Sequence, residues 1–189
     1  MSGYSSKIPT LIEKAVRTWL LSILDGSVEL TDLPNWTGLT SQQVVFSYQN
    51  APRPEVPVVV VRQGVTKNVG EPCVVDAIHD IDDLQSDIDR TVDQYKECVL
   101  SINVDGFEAY PIADCIEEMC RVPEQVEANA KNGFAITGII MSARGVENIK
   151  GIFMPQAKID LSVNYRVGLE YEQPALRTVI ETFTVEGVE

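Results

Sequence analysis

Apolar and polar residues alternate without a break from Gln156 to Arg166, which is the pattern of a β-strand with one dry face and one wet face. The apolar positions are Ala157, Ile159, Leu161, Val163 and Tyr165. A slip of one residue would turn every apolar side chain into water, so the register of this strand should be firmly set. The strand therefore needs neighbouring strands and a layer that covers its dry face.

Two segments have the helical spacing that suits such a layer. Residues 8–24 predict one helix, because their apolar residues recur every three or four positions. This stripe consists of Ile12, Val16, Trp19, Leu20 and Ile23. Residues 110–131 predict a second helical region, which should break at Pro123 because proline lacks the backbone donor of a helix interior.

The rest of the pattern predicts short strands separated by turns. Strands are expected at residues 42–48, 58–61, 134–140 and 179–185, with two more between 73 and 104. Turns or loops are expected where glycine and proline collect, at residues 27–41, 64–72, 145–151 and 168–176. Because strands and helices are segregated along the chain, we predict an α+β fold, with a mostly antiparallel sheet packed against two helical regions. We expect one domain over residues 1–189.

Length and charge exclude several classes of function. The 189 residues suffice for one domain with a sizeable core, and the 44% hydrophobic content is ordinary for a globular protein. The formal net charge of −13 argues against binding nucleic acid or an anionic membrane surface, since both need clustered Lys and Arg. No apolar run approaches the roughly 20 residues that span a bilayer, and the N-terminal residues have a helix pattern rather than that of a signal peptide.

Residue types that support catalysis or hold a metal form no recognisable motif. The four cysteines, Cys73, Cys98, Cys115 and Cys120, include no C-x-x-C pair, so free buried thiols are expected instead of a zinc site. His79 is the only histidine and no G-x-S-x-G sequence accompanies it, which argues against a serine hydrolase. We therefore expect no enzyme activity, no catalytic residues, no metal and no cofactor.

An acidic stretch between Asp76 and Asp93 is the densest cluster of charge in the chain. Its start resembles a calcium loop only loosely, because the glycine at the sixth position and the glutamate at the twelfth are missing. A solvated loop, or a surface that faces a partner or a lumen, is the preferred interpretation. The residues assigned to this surface are Asp80, Asp82, Asp83, Asp87 and Asp89.

A stiff connector runs from Gln49 to Pro57, where closely spaced prolines forbid a helix and remove donors from any strand ladder. Two interpretations stay open. The connector is either a plain link between strands, or a pre-ordered edge that loses little entropy when a neighbouring subunit docks on it. In the second case the interface residues are Gln49, Asn50, Pro52, Arg53, Pro54 and Pro57.

The chain resembles the neck or tail terminator (tail-completion) proteins of tailed bacteriophages. The resemblance lies in Tyr48-Gln49-Asn50-Ala51-Pro52-Arg53-Pro54 followed by Pro57 and a β run, which is similar to the Q-N-x-x-R-P-x-x-P signature of that family. It also lies in the strand from Gln156 to Arg166, in the segment from Ile180 to Gly187, and in the order of the elements. The acidic stretch does not map onto the family.

The resemblance implies a virion structural protein that assembles in the host cytoplasm and acts in the neck or tail. Family members form a ring, commonly of six subunits, which caps the tail tube and joins it to the head connector. The implied partners are copies of the chain itself, the tail tube protein and the connector or collar proteins, with DNA only passing through the lumen and no membrane. A collar, connector or minor tail component of the same virion is the first alternative, and a small cytosolic hydrolase is the second.

Overall fold

Three helices and five strands make up the described part of the chain, which in this computed structural model comprises residues 10–26, 30, 33, 36–47, 56–78, 88–149 and 151–173. The helices are Leu11–Ile23 (α1), Ala109–Met119 (α2) and Pro123–Lys131 (α3). The strands are Val44–Phe46 (β1), Val58–Ile78 (β2), Ile88–Asp105 (β3), Phe134–Ile149 (β4) and Ile152–Gln173 (β5).

The five strands form one sheet in the order β1-β2-β3-β5-β4. β1 pairs with β2 in parallel, with Val44 opposite Val59, whereas β4 and β5 form an antiparallel hairpin that ends with Ile149 opposite Ile152. The sheet is mostly antiparallel and is accompanied by helices, so the predicted α+β class is confirmed. Within the described residues, β1 and β4 are the two edges of the sheet.

The alternation in β5 has the predicted result. Ala157, Ile159, Leu161 and Val163 are fully buried, and they join the core formed with the apolar stripes of α1 and α2. Their polar neighbours along the strand are only partly buried. The register of the hairpin is thus fixed by the burial of one face, as the pattern predicts.

On the opposite face of the sheet, a row of polar side chains crosses four strands. Thr137 of β4 donates to the Ser162 hydroxyl at 2.9 Å, and Ser162 in turn donates to Glu97 of β3 at 3.3 Å. Lys67 of β2 completes the row with an ion pair to Glu97 at 3.0 Å. The hydrogen bond from Lys67 is the main reason why the pKa of Glu97 lies below its ordinary value.

Helix α1 is tied to the edge of the sheet by its polar side chains. A capping box starts the helix, since the Thr10 hydroxyl accepts from the Glu13 N–H and the Glu13 carboxylate accepts from the Thr10 N–H. Glu13 is only 1% exposed and also accepts the backbone N–H of Gln63 in β2, at 3.0 Å. Arg17 Nε donates to the backbone oxygen of Val44 in β1 at 2.8 Å. The helix predicted at residues 8–24 is confirmed over Leu11–Ile23.

The predicted break in the second helical region is also confirmed. α2 ends at Met119 and α3 begins at Pro123, where a first-turn proline costs no hydrogen bond. α2 buries its apolar face against the sheet. α3 joins α1 through a hydrogen bond from Trp19 Nε1 to Gln125 Oε1, at 3.2 Å.

Three predicted turns or connections are wrong. β2 continues through residues 64–72, and β4 continues to Ile149, so the expected loop over 145–151 shrinks to a turn around Gly151. β5 likewise extends to Gln173, into the expected connection at 168–176. Pairing with neighbouring strands overrides the local preference of glycine for turns in all three places. The strand predicted at 179–185 lies outside the described residues.

Contacts between residues divide the chain into two units. The first comprises residues 1–69 and 95–166 and holds the three helices and the buried core. The second comprises residues 70–94 and 167–189. In its described part the Gln94 side chain donates to the backbone oxygen of Gly70 at 3.4 Å. No helix among the described residues is long and apolar enough to cross a membrane.

Candidate subunit interface

Most residues assigned to the interface and the acidic surface fall outside the described residues. This applies to Gln49, Asn50, Pro52, Arg53 and Pro54 of the connector, and to Asp80, Asp82, Asp83 and Asp87 of the acidic stretch. Asp89 lies in β3, but its side chain is not described. Those assignments therefore stay predictions. Among the residues assigned to the interface, the structure describes the surroundings of Pro57.

Pro57 lies at one end of the sheet, against the turn that leads into α2. Its peptide bond with Val56 is cis. The turn residue facing it is Gly106, where an added Cβ would come within 2.9 Å of Pro57 Cα. The Gly106 N–H donates to the backbone oxygen of Pro155 in β5, at 3.1 Å. The end of the connector, the turn and β5 therefore meet at one place.

Beyond this meeting point, β4 and β5 continue as a two-stranded extension, which we call the arm (residues 146–149 and 152–155). β3 ends at Asp105, whose carboxylate accepts a hydrogen bond from Gln156 Nε2 at 2.7 Å, so β3 gives the arm no third strand. The two strands of the arm stay paired with each other, from Val146 opposite Pro155 to Ile149 opposite Ile152. A hairpin of two strands is marginally stable in water without further contacts.

The arm and its surroundings expose apolar side chains. Val146 and Ile152 are each 60% exposed, and Phe153 is 68% exposed. Phe107, in the turn beside the base of the arm, is also 68% exposed, and Val56 in the connector is 39% exposed. By the pairing of the hairpin, Val146 and Phe153 lie on one face and Ile152 on the other. Exposed apolar side chains that are grouped on one element are a mark of protein–protein contact.

Helix α2 holds the base of the arm in place. The Tyr110 hydroxyl donates to the backbone oxygen of Gly145 at 2.8 Å. Arg144 of β4 forms ion pairs with Asp114 at 2.5 Å and Glu117 at 2.7 Å, and Ser142 donates to Glu117. These contacts fix the direction of β4 as it leaves the core.

The contacts of Arg144 shift the pKa values of Glu117 and of Arg144 itself. Partial burial on its own would raise the pKa of Glu117, but the hydrogen bonds from Ser142 and Arg144 outweigh it and hold that pKa below its ordinary value. Partial burial on its own would lower the pKa of the Arg144 guanidinium. The hydrogen bonds and negative charges of Glu117 and Asp114 outweigh this effect, so that pKa is raised. Glu117 and Arg144 are therefore both charged at neutral pH.

A groove lies at the other end of β4, beside the junction of α2 and α3. It has a volume of about 230 Å³ and is lined by Cys120, Arg121, Ile136, Thr137, Gly138 and Ile139. Two register irregularities in β4 fall at this place, between Ile136 and Gly138 and between Ile139 and Met141. The groove thus lies between the edge strand β4 and the α2–α3 junction, and polar and apolar groups both line it.

The described residues form no arrangement that resembles a catalytic centre. All four cysteines are free, as predicted, but Cys73 is exposed, so the prediction of buried thiols is wrong for that residue. Burial raises the pKa of Cys98 and Cys115 to about 11 and that of Cys120 to about 12, which keeps these thiols protonated and weakly nucleophilic. Among the described residues, no group of His, Cys, Asp or Glu has the proximity needed to hold a metal ion.

Sequence reasoning did not assign the arm or the groove. The available signal for the arm was the sequence Val146-Glu-Asn-Ile-Lys-Gly-Ile-Phe-Met154, in which apolar residues stand on both sides of a glycine. That pattern is compatible with a hairpin. The groove lies at the register irregularities in β4, for which Gly138 is the available signal, because an isolated glycine within a strand suggests a bulge.

Comparison with known proteins finds similarity among solved structures. No protein-family model matches the chain, and no curated protein matches it. Among solved structures, a chain of the "Virion of native gene transfer agent (GTA) particle" matches with 13% sequence identity and a TM-score of 0.28. The match covers 88% of this chain and 100% of that one.

Proposed function

We propose that the chain is a virion structural protein of a phage-like particle, and that copies of it form the ring that terminates the tail and joins it to the head connector. The observation that supports this proposal best is the arm. It is a two-stranded hairpin that exposes Val146, Ile152 and Phe153, and such an element gains stability when another subunit covers it. A subunit that acts by packing against copies of itself needs no catalytic centre.

The resemblance to phage terminators points to the same end of the molecule. The connector that carries the Q-N-x-x-R-P-x-x-P pattern enters the described structure at Pro57, next to Gly106 and the base of the arm. We therefore assign Gln49–Pro57 and the arm to one subunit interface. The acidic residues between Asp80 and Asp89 are assigned to the lumen or to a partner ring, where negative charge repels passing DNA.

Size-exclusion chromatography with light scattering tests the ring. The wild-type chain should form a closed oligomer, and the double variant Val146→Ser with Phe153→Ser should dissociate. Burying each of these side chains contributes about 1.5 kcal/mol or more, so their loss should weaken association by about 3 kcal/mol, roughly 100-fold. Leu11→Ser is the matched control, since Leu11 is 81% exposed on α1, away from the arm, and its replacement should leave the oligomer unchanged.

Deleting the gene from the producing phage or prophage distinguishes a terminator from a collar or connector protein. Electron microscopy should show overlong tails if the ring stops tube growth. Normal tails that are not attached to heads would instead assign the chain to the connector. A chain that stays monomeric at every concentration up to its solubility limit, and that is missing from purified particles, would contradict both.

A further inference from the structure

We infer that the outer border of β4 pairs with the same border of a second copy, so that two arms form one antiparallel sheet around a two-fold axis at Val146. The contact goes beyond the proposed ring. A border that pairs with itself joins two subunits and then has no backbone groups left, whereas a ring needs two different surfaces on each subunit.

One hydrogen bond fixes the direction of the backbone groups in the arm. Gly106 follows the end of β3, and its N–H donates to the Pro155 oxygen of β5. Because β5 lies between β3 and β4, the Pro155 carbonyl points away from β4. Pro155 and the opposite residue Val146 therefore share no hydrogen bond, and the N–H and C=O of Val146 point outward. The same holds for every second residue of this stretch, which includes Arg144 and Asn148.

The border is regular and exposed over this stretch. β4 and β5 pair without irregularity from Met141 opposite Asp160 to Ile149 opposite Ile152, because both bulges lie before Met141. Every side chain from 141 to 148 is exposed, and β4 is the last strand on this side of the described sheet. A hairpin of two strands is marginally stable, whereas three or more strands with an apolar face are stable on their own. A further strand is therefore the partner that this border fits.

The β4 strand of a second copy has the required spacing of donors and acceptors, because an antiparallel border turned by half a rotation presents the same alternation to itself. With the two Val146 residues opposite each other, Arg144 faces Asn148 of the second copy. Glu147 then faces Gly145, so no like charges meet. A centre at Glu147 would instead oppose two carboxylates, and a centre at Gly145 would leave the central pair without side chains.

Val146→Pro tests the pairing. In a single copy the Val146 N–H points outward, so the proline removes no internal hydrogen bond, and an edge strand tolerates proline at such a position. In the pair, the proline removes a donor and sets its ring against the facing carbonyl. Val146→Thr is the matched control, because it keeps the donor and the branched shape. In sedimentation equilibrium of the full chain, Val146→Pro should weaken pairing by at least about tenfold and Val146→Thr by less than about threefold.

Hydrogen exchange at single-residue resolution gives an independent measurement. As the concentration of the wild-type chain rises, the amides of Arg144, Val146 and Asn148 should become protected. The amides of Gly145 and Glu147 point toward β5, so their exchange should not depend on concentration. Contact through an apolar face would not produce this alternation along the strand.

The outcomes separate the pairing from the ring. If Val146→Pro associates like the wild type, or if the three outward amides exchange equally at all concentrations, the pairing is wrong. If light scattering shows the ring while those amides stay unprotected, the ring survives without the pairing. If the amides are protected and the chain forms pairs but no ring, the pairing stands and the proposed ring fails. Should circular dichroism show that Val146→Pro is unfolded, the exchange of the wild type decides alone.

Discussion

Replacing Gly106 by alanine should destabilise the protein strongly, because two separate penalties meet at this residue. Gly106 has a φ of 135°, a conformation that an L-residue adopts at a cost of about 1–3 kcal/mol. In addition, the new Cβ would lie 2.9 Å from Pro57 Cα, so the backbone of the connector would have to move. Overpacking of this kind costs about 1 kcal/mol or more. We expect a total loss of about 3 kcal/mol in the free energy of unfolding.

The matched control is Gly133→Ala, at the end of α3. Gly133 also has a positive φ, of 82°, but an added Cβ would meet no atom within 4 Å. Its replacement should therefore cost only the conformational penalty, about 1 kcal/mol. Urea unfolding followed by circular dichroism measures both variants. If Gly106→Ala costs no more than Gly133→Ala, the close packing of Pro57 on the turn does not constrain the base of the arm, and our reasoning is wrong.

Further predictions concern other parts of the first unit and the exposed thiol. Glu13→Ala should lower the free energy of unfolding by about 2–3 kcal/mol, because the backbone N–H groups of Thr10 and Gln63 lose their acceptor. The exposed Leu11 on the same helix provides the control, since Leu11→Ala should change that free energy by less than about 0.5 kcal/mol. Urea unfolding measures both variants. Arg144→Met should lower the free energy of unfolding by about 1 kcal/mol at pH 7. Arg144 lowers the pKa of Glu117 in the folded state, so the ion pair contributes stability above the unfolded pKa of that carboxyl and loses it as the pH falls. The difference in stability between the variant and wild type should therefore shrink below about pH 4.5. Unfolding curves at pH 7 and pH 3.5 measure this, and an equal difference at both would refute it. A thiol reagent at pH 8 should react rapidly with one cysteine of the native chain, the exposed Cys73. Cys73→Ser should abolish this rapid reaction. Rapid labelling of a second cysteine would contradict the burial of the other three.

The parts of the fold that the sequence predicts well are those governed by local periodicity. The alternation from Gln156 to Arg166 marks a strand because burial selects every second residue, and the structure buries those residues. The stripe of α1 and the break before Pro123 follow from equally local rules. The parallel pairing of β1 with β2 and the strand order, by contrast, depend on partners far away in the sequence, and no local pattern encodes them.

The wrong turn predictions have a common physical origin. Glycine at positions 64, 70, 145 and 151 suggests turns, because glycine weakens strands when it is considered alone. In the structure β4 remains paired with β5 from Phe134 to Ile149, and the hydrogen bonds of this long ladder outweigh the local cost of Gly145. Only Gly151, between Ile149 and Ile152, is in a turn.

The candidate interface was harder to predict than the fold, for a different reason. Val146 and Phe153 are residue types that are usually buried, so the sequence does not distinguish them from core residues. They are exposed because β3 ends at Asp105 and does not extend along the arm. The connector was recognisable because proline has an unmistakable effect on the backbone. Its position beside the arm became visible only through the contact of Pro57 with Gly106.

The two borders of the sheet differ, and this difference limits how copies can aggregate. At β1 the outward carbonyl of Val44 is already occupied by Arg17 of α1, and β1 is only three residues long. In the described part of the chain, β4 is the border at the other side of the sheet. β1 pairs with only three residues of β2, which continues to Ile78, so the block made by Arg17 is confined to the start of that border. A foreign strand that pairs through its backbone is therefore excluded at Val44, and copies that meet at that point can do so only through their side chains.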